Sequence, residues 1–254
     1  MSEPDSTPQR SPQSGARKSP TVGRVAALWR YPVKSMAAEA LAEAEVSWSG
    51  LAGDRRWAFI RDGEVRSGFP WLTLRQRPDL NHYRPSFVDP DRPNASRTMV
   101  RTPAGSEFDV VDLALAAELG AGVRVIKQDR GIFDTMPLSL ITTQTVAALG
   151  ALTSCDLDVL RFRPNLLIEA ATEEPFPEDA WVGSVLHIGG MRMRVDGRDK
   201  RCLVVNTDPV TTQRSPAILR AIANERQTCL GVYGSTVQPG RIAIGDPVIM
   251  DSQE

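Results

Sequence analysis

The feature that most constrains the fold is the sequence pattern from Gly23 onward, in which short apolar runs are separated by Gly, Pro, Asp and Asn. Runs of this length between turn-forming residues are typical of β-strands. The pattern predicts strands at Val25–Tyr31, Glu45–Ser49, Trp57–Arg61, Thr98–Arg101, Phe108–Val111, Val123–Lys127, Leu138–Ile141, Leu166–Glu169, Val185–Ile188, Met191–Val195, Cys202–Asn206, Arg241–Ile244 and Pro247–Met250.

Few segments carry helix signals. Capping and stop residues predict helices at Leu113–Leu119, from Thr142 or Thr143 to Leu149, and from Ser215-Pro216 to Arg226. Many short strands with three or four helices predict a β-dominated α+β protein with a closed or nearly closed barrel.

The ends and linkers of the chain predict its domains. Residues 1–21 are rich in Pro and Ser and nearly free of apolar side chains, so we expect a disordered tail. Pro85–Pro93 and Asp109–Gly122 are candidate linkers. They place a boundary near residue 110, between domains at 22–110 and 111–254.

Composition excludes several classes of function. Lys plus Arg number 30 and Asp plus Glu 31, a balance that predicts neither nucleic acid nor an anionic membrane as a partner. No run approaches the ~18 apolar residues of a membrane span, and no signal peptide is visible, so we expect a cytoplasmic protein. Three Cys and two His are too few for a disulfide framework, structural zinc or an iron–sulfur cluster. Redox chemistry would therefore need electrons from another molecule.

Two cationic segments follow predicted strands or turns in the first half. Tyr31-Pro32-Val33-Lys34-Ser35 ends a strand at a proline, which leaves Lys34 and Ser35 available to an anion. The alternative is a solvated strand end. Arg55, in Gly53-Asp54-Arg55-Arg56-Trp57, would share a strand face with Trp57 and need an anionic partner inside a barrel. The alternative there is an ion pair with Asp54.

Two further segments in the second half predict anion contacts. Thr142 and Thr143 lie where a strand runs into a helix, and the free N–H groups of a helix start bind anions. Simple N-capping explains the same residues. Arg163 precedes Pro164 and is predicted to be extended, with its guanidinium able to grip a phosphate. A surface arginine beside a turn is the alternative.

Lys200-Arg201-Cys202 is the one segment that predicts a metal ligand. Neighbouring cations favour the thiolate, which is the form that binds metal. The alternative is that Cys202 is a small buried apolar residue. Cys155 and Cys229 lack such neighbours, and we expect both in the core.

Taken in order, these segments and the closing Pro239-Gly240-Arg241-Ile242…Gly245-Asp246-Pro247-Val248 resemble the MOSC proteins, named after the C-terminal domain of molybdenum cofactor sulfurase. The resemblance is nearest to the amidoxime-reducing component and its bacterial relatives. It implies an MOSC-type β-barrel preceded by a smaller β-barrel-like N-terminal domain, and a molybdenum–molybdopterin cofactor with Cys202 as metal ligand. The implied cofactor contacts are Lys34, Ser35, Arg55, Thr142, Arg163, Asn165, Arg201 and Asn206, with Asp208 as a catalytic candidate that supplies protons.

The resemblance also implies an activity. It predicts a molybdenum-dependent reductase of N-hydroxylated or N-oxygenated small molecules, supplied by an external electron-donor protein. Lys200 replaces a small residue near the family's ligand, which bears on the choice of substrate. Three alternatives stay open: a non-catalytic carrier of the cofactor, sulfur transfer through a persulfide on Cys202, and a cofactor-free barrel for protein binding.

Overall fold

A computed structural model describes residues 19–63 and 69–251. Of the predicted disordered tail, residues 1–18 lie outside the described part, and Thr21 already belongs to the first strand. The strands are β1 Thr21–Arg30, β2 Glu39–Leu41, β3 Glu43–Ser47, β4 Gly50–Leu51, β5 Trp57–Arg61, β6 Arg84–Phe87, β7 Thr98–Arg101, β8 Glu107–Asp109, β9 Val123–Lys127, β10 Leu138–Thr142, β11 Leu166–Ala170, β12 Val185–Ile188, β13 Met191–Lys200, β14 Cys229–Gln238, β15 Gly240–Ala243 and β16 Pro247–Met250.

Three α-helices and four short 3-10 helices complete the described elements. The α-helices are α1 Leu113–Leu119, α2 Thr143–Thr153 and α3 Pro216–Arg226. The 3-10 helices span Pro78–His82, Val159–Phe162, Pro177–Trp181 and Leu203–Asn206. No helix of the described residues is long and apolar enough to span a membrane.

Seven strands close into a barrel. Their order is β11-β10-β14-β13-β12-β16-β1, and the pairing of β1 with β11 closes the ring. The short strand β2 pairs with the last three residues of β1, Leu28–Arg30. Closure removes the free edges that an open sheet would expose. The predicted β-dominated fold with a closed barrel is confirmed.

The barrel core explains why these strands read as apolar. Leu140, Leu166, Leu186 and Met193 are fully buried in one cluster inside it. All five residues of β10 are buried, because Leu140 faces the barrel interior while Ile141 packs in a second cluster with α2 and α3. A strand covered on both faces shows a continuous apolar run instead of alternation.

Smaller sheets surround a third core formed largely by the first half of the chain. They are β6-β7-β8 and β5-β9, whereas β15-β3-β4 packs on the barrel core through Val46, Leu51 and Ile242. Because β1 belongs to the barrel, and β9 after residue 110 pairs with β5, the two halves are interleaved in space. The boundary at residue 110 remains a prediction.

One predicted strand is wrong, and one observed strand was not predicted. Cys202–Asn206 does not form a strand: Cys202 is extended, and Leu203–Asn206 turns into a 3-10 helix that packs against α3. The ten-residue strand β14 was missed, because its glycines, Ser235 and Thr236 interrupt the apolar pattern. One of these glycines, Gly234, lies so close to β13 that a Cβ would come within 2.3 Å of the Arg194 carbonyl oxygen.

Candidate functional site

A cavity of about 570 Å³ joins segments from both halves of the chain. Its walls come from the segment after β1, the turn before β5, the segment before β10, the turn after Val159–Phe162, and the end of β13. Seven of the predicted site residues line it: Lys34, Ser35, Arg55, Arg163, Asn165, Arg201 and Cys202. Residues that are up to 168 positions apart, from Lys34 to Cys202, therefore meet in one space.

The cavity is strongly cationic. Seven lining residues are Lys or Arg and two, Asp134 and Asp199, are acidic. A concave site with this excess of positive charge attracts anions, and guanidinium groups match phosphate oxygens in pairs.

The segment after β1 places Lys34 in the wall. Val33 is tied to Trp57 by an isolated bridge, and Ser35 takes a positive φ of 69°, so the chain turns sharply there. Lys34 is buried; its Nζ donates to the Ile132 carbonyl at 3.0 Å and pairs with Asp134. Burial lowers the pKa of Lys34 despite this partner. Although burial acts to raise it, the pKa of Asp134 is held below its usual value by Lys34.

An aromatic–guanidinium stack forms the next part of the wall. The guanidinium carbons of Arg55 and Arg163 lie 4.5 Å and 4.2 Å from the centre of the Tyr31 ring. A cation placed over the face of an aromatic ring is attracted electrostatically by the ring. Burial lowers the pKa of Arg163 to about 10 and raises that of Tyr31 to about 12.

Asp54, fully buried behind the wall, holds this stack in place. Its carboxylate accepts from the Tyr31 backbone N–H at 2.7 Å and from Asn165 Nδ2 at 3.2 Å, and it pairs with Arg55. The predicted alternative of an Asp54–Arg55 ion pair is thus present, and Arg55 lines the cavity at the same time.

Two backbone predictions for these arginines are wrong. Arg55 lies before β5 with φ of 49°, in a turn, so strand alternation does not orient it. Arg163 is left-handed, with φ 51° and ψ 46°, and not extended, because it ends the 3-10 helix Val159–Phe162. The Arg163 guanidinium donates to the Met36 carbonyl at 2.8 Å and to Asn81 Oδ1 at 3.2 Å.

Cys202 is a free, half-buried thiol two residues after the end of β13, directly before the 3-10 helix Leu203–Asn206. The cation in contact with its sulfur is Arg75, whose pKa is raised by a hydrogen bond with Cys202. Sequence reasoning missed Arg75, because it is 127 positions away and no local signal connects the two. The neighbouring Arg201, which the sequence predicted as the cation beside Cys202, instead donates to the Leu230 and Phe162 carbonyl oxygens at 2.7 and 2.8 Å.

The cavity wall includes a buried carboxyl that sequence reasoning also missed. Asp199 is 1% exposed, pairs with Arg201 at 2.8 Å and accepts from Ser139 Oγ at 3.3 Å. Burial raises its pKa to about 6 and, together with Asp199, raises the pKa of the neighbouring Tyr233. Asp199 Oδ1 has no hydrogen-bond partner among the described residues. The site therefore contains a buried acceptor able to meet an N–H donor of a ligand.

Thr142 lies outside this cavity, because the start of α2 already has an anionic partner. Thr142 Oγ1 accepts from the Thr145 N–H at 3.2 Å and donates to Glu178 at 2.7 Å, and Thr145 Oγ1 donates to the same carboxylate at 2.7 Å. Thr142 therefore acts as the N-cap of α2, as the alternative interpretation had it. The Glu178 carboxylate lies at this helix start, where the sequence had predicted an anionic ligand.

Asn206 and Asp208 do not line the cavity either. The 3-10 turn carries Asn206 away from Cys202, and its Oδ1 accepts from the Leu219 N–H at 2.9 Å in α3. Asp208 pairs with Arg161 and accepts from the N–H groups of Val210 and Thr211. Although burial acts to raise it, these N–H groups hold the pKa of Asp208 below its usual value. Its place outside the cavity and its lowered pKa do not favour the proton-supplying role predicted for it.

Within residues 19–63 and 69–251, no group of three or more His, Cys, Asp or Glu could hold a bare metal ion. Cys155 packs beside the cluster of α2 and α3, and Cys229 begins β14. Neither lines the cavity, so Cys202 is its only thiol within the described chain.

Comparison with known proteins adds the family. The model described as MOSC N-terminal beta barrel domain matches residues 22–135, and the model described as MOSC domain matches residues 127–249. The chain is 26% identical to molybdenum cofactor sulfurase of Danio rerio over 81% of its own length, and spans about a third (31%) of that relative. It is 25% identical to mitochondrial amidoxime-reducing component 1 of Homo sapiens, covering 91% of this chain and 84% of the relative.

A solved structure shares the fold. The YUAD protein from Bacillus subtilis superposes with a TM-score of 0.52 at 12% identity, covering 92% of this chain and 97% of that one. The two domain models together account for residues 22–249. The chain belongs to the MOSC domain family, with an MOSC N-terminal beta barrel domain ahead of the MOSC domain.

Proposed function

We propose that this protein binds a molybdenum–molybdopterin cofactor in the cationic cavity and reduces N-hydroxylated or N-oxygenated small molecules with electrons from an external donor protein. Membership of the MOSC family, with relatives named as molybdenum cofactor sulfurase and amidoxime-reducing component, supports a function connected with the molybdenum cofactor. The observation that carries the proposal is the convergence of seven predicted contact residues, one of them a cysteine, on a single cavity.

The cavity residues fit such a cofactor. Lys34, Ser35, Arg55 and Arg163 are proposed to hold its phosphate, because cations and a hydroxyl converge there without enough carboxylates to neutralise them. The unpartnered Oδ1 of Asp199 is a buried acceptor for a heterocyclic N–H, and Cys202 is proposed as the protein ligand to the metal. We leave Thr142, Asn206 and Asp208 out of the proposed site.

The net reaction takes an N–OH group, two electrons and two protons to an N–H group and water. The bound cofactor supplies the oxygen-atom and electron transfer. The chain would supply position and protons: Cys202, in contact with Arg75, and the buried Asp199 are all part of the cavity wall. With a pKa of about 6, Asp199 holds a proton on its buried carboxyl at mildly acidic pH and releases it near neutrality, which makes it a better candidate than Asp208.

The test is molybdenum content per chain in protein purified from a host that makes the cofactor. We expect near-stoichiometric molybdenum in the wild type and in Cys229→Ala, a control cysteine outside the cavity, and almost none in Cys202→Ala. The loaded protein should then reduce an amidoxime or hydroxylamine with reduced viologen dye as artificial donor.

Other outcomes point elsewhere. A well-folded wild type without molybdenum contradicts the proposal, and a trappable persulfide on Cys202 would then favour sulfur transfer. Bound molybdenum with no turnover of any N-oxygenated compound would mark a carrier of the cofactor.

A further inference from the structure

A second cavity of about 540 Å³ lies on the other side of the Tyr31–Arg163 stack and shares only Arg163 with the first. Its size falls in the range of small-molecule sites. It is formed between the segment after β1, the 3-10 helix Pro78–His82, the turn after β7, and the loop that contains Pro209 and Val210. Asn81 Nδ2 donates to the Pro209 carbonyl at 2.7 Å, and His82 Nε2 lies 2.8 Å from the Val210 carbonyl oxygen. These hydrogen-bonding contacts join the two halves of the chain at the wall of the cavity.

The cavity contains an uncompensated cation. Arg84 on β6 and Arg101 on β7 are directly opposite each other in the register, and like charges opposite each other on paired strands are unfavourable. Arg101 is engaged by Glu107 at 2.9 Å. The Arg84 side chain makes no hydrogen bond or ion pair within residues 19–63 and 69–251.

A buried hydroxyl in the same wall is also without a partner. Thr102 is 3% exposed and lines the cavity, and its Oγ1 has no hydrogen-bond partner in the described part of the chain. A buried hydroxyl left unpaired costs free energy comparable to a lost hydrogen bond. An acceptor oxygen from a ligand would satisfy both the hydroxyl and the free arginine.

The other lining residues indicate the polarity of the rest of the ligand. Tyr31, Ala37, Ala38 and Pro103 are apolar or aromatic. Asp158 is the acidic lining residue, and its Oδ1 already accepts from the Leu160 N–H at 2.8 Å. Arg163 donates to the Met36 carbonyl and to Asn81 Oδ1, which uses two of its five N–H groups.

We propose that this second cavity is a binding site for a small organic oxyanion, a phosphate or carboxylate carried on an apolar or aromatic body, held by Arg84 and the Thr102 hydroxyl. This site is separate from the proposed molybdenum site, and it stands whether or not the first cavity holds a cofactor.

The test is calorimetric titration of the full-length chain with phenyl phosphate at low salt. We expect Arg84→Gln to weaken binding about tenfold, as the loss of a charge-assisted hydrogen bond does, and Thr102→Val to weaken it about threefold. Both variants should fold, because Arg84 is exposed and the Thr102 hydroxyl has no internal bond to lose.

Controls decide where the probe binds. Arg220→Gln removes the same charge from an exposed arginine on α3 that lines neither cavity, and should bind like the wild type. The proposal is overturned if the wild type does not bind phenyl phosphate or if Arg84→Gln or Thr102→Val leaves the affinity unchanged. It is equally overturned if Lys34→Gln in the first cavity abolishes binding.

Discussion

Two buried polar clusters of this molecule have opposite characters. Around Asp54, the residues Tyr31, Arg55, Arg163 and Asn165 form a network that carries two guanidinium groups for one carboxylate and opens into a cavity. At the start of α2, Glu178, Thr142 and Thr145 satisfy each other and line no described cavity. Burial of polar groups therefore does not by itself mark a binding site. What separates the two clusters is unbalanced charge next to empty space.

The largest expected effect comes from removing the carboxylate of the open cluster. Asp54→Ala should lower the free energy of unfolding by about 3–5 kcal/mol, because it leaves the buried Arg55 without its counter-ion. Urea denaturation measures this. Asp62→Ala, at an exposed pair with Arg124, should cost no more than about 1 kcal/mol. If Asp54→Ala unfolds at the wild-type urea concentration, the stack is not held by Asp54.

The buried carboxyl of Asp199 should make stability depend on pH. Its pKa of about 6 exceeds the ordinary value of about 3.9, so the native state binds more protons than the unfolded state in that window. The stabilisation is complete below about pH 4 and is lost as pH rises through 6, by about 3 kcal/mol in all. Urea unfolding of cofactor-free protein from pH 4 to 7 should show this decline in the wild type and a flatter profile in Asp199→Asn. Parallel profiles for the two proteins would contradict the assignment.

The closed cluster should matter for stability alone. Thr142→Val removes the cap of α2 and one hydrogen bond to Glu178, at an expected cost of about 1–2 kcal/mol in unfolding free energy. Molybdenum content per folded chain should stay at the wild-type level. A loss of molybdenum in folded Thr142→Val would show that Thr142 contributes to cofactor binding. The two clusters would then not differ in function as proposed.

The reverse pattern is expected for Lys34→Gln, with the smallest effect on stability. The cost of burying the ammonium, which lowers its pKa, roughly offsets its pairing with the half-exposed Asp134, so unfolding free energy should change by no more than about 1 kcal/mol. Molybdenum content should fall severalfold, while Arg220→Gln keeps it. An unchanged content in Lys34→Gln would show that the cavity charge at this position does not retain the cofactor.

The fold was predictable where local pattern and tertiary environment agree. Trp57–Arg61, Val123–Lys127, Val185–Ile188 and Pro247–Met250 were predicted to the residue, because flanking turn residues bound each run. The apolar run Leu203–Val205 was misread as a strand, since a run this short fits either a strand or a helical turn and packing against α3 decides.

The site was half predictable for a similar reason. Lys34, Arg55, Arg163 and Cys202 lie in short motifs whose chemistry can be read locally. Arg75 and Asp134 gain their roles only from partners brought close by the fold, as with Lys34 and Asp134, which are 100 positions apart. Asp199 has Arg201 near it in sequence, but its burial and its hydrogen bond from Ser139, 60 positions away, come from the fold. No spacing rule in a single sequence encodes such a contact.

Barrel closure by β1 has a consequence for synthesis on the ribosome. The strand made first is flanked in the ring by β11 and by β16, the last strand of the described chain, so its second neighbour emerges more than 200 residues later. At ordinary translation rates this is a wait of about 10–45 s. During that time the part of β1 that β16 later covers is an open edge, exposed to chaperones and to aggregation. Residues 127–249 made alone would lack β1 and should expose two such edges, on β11 and β16.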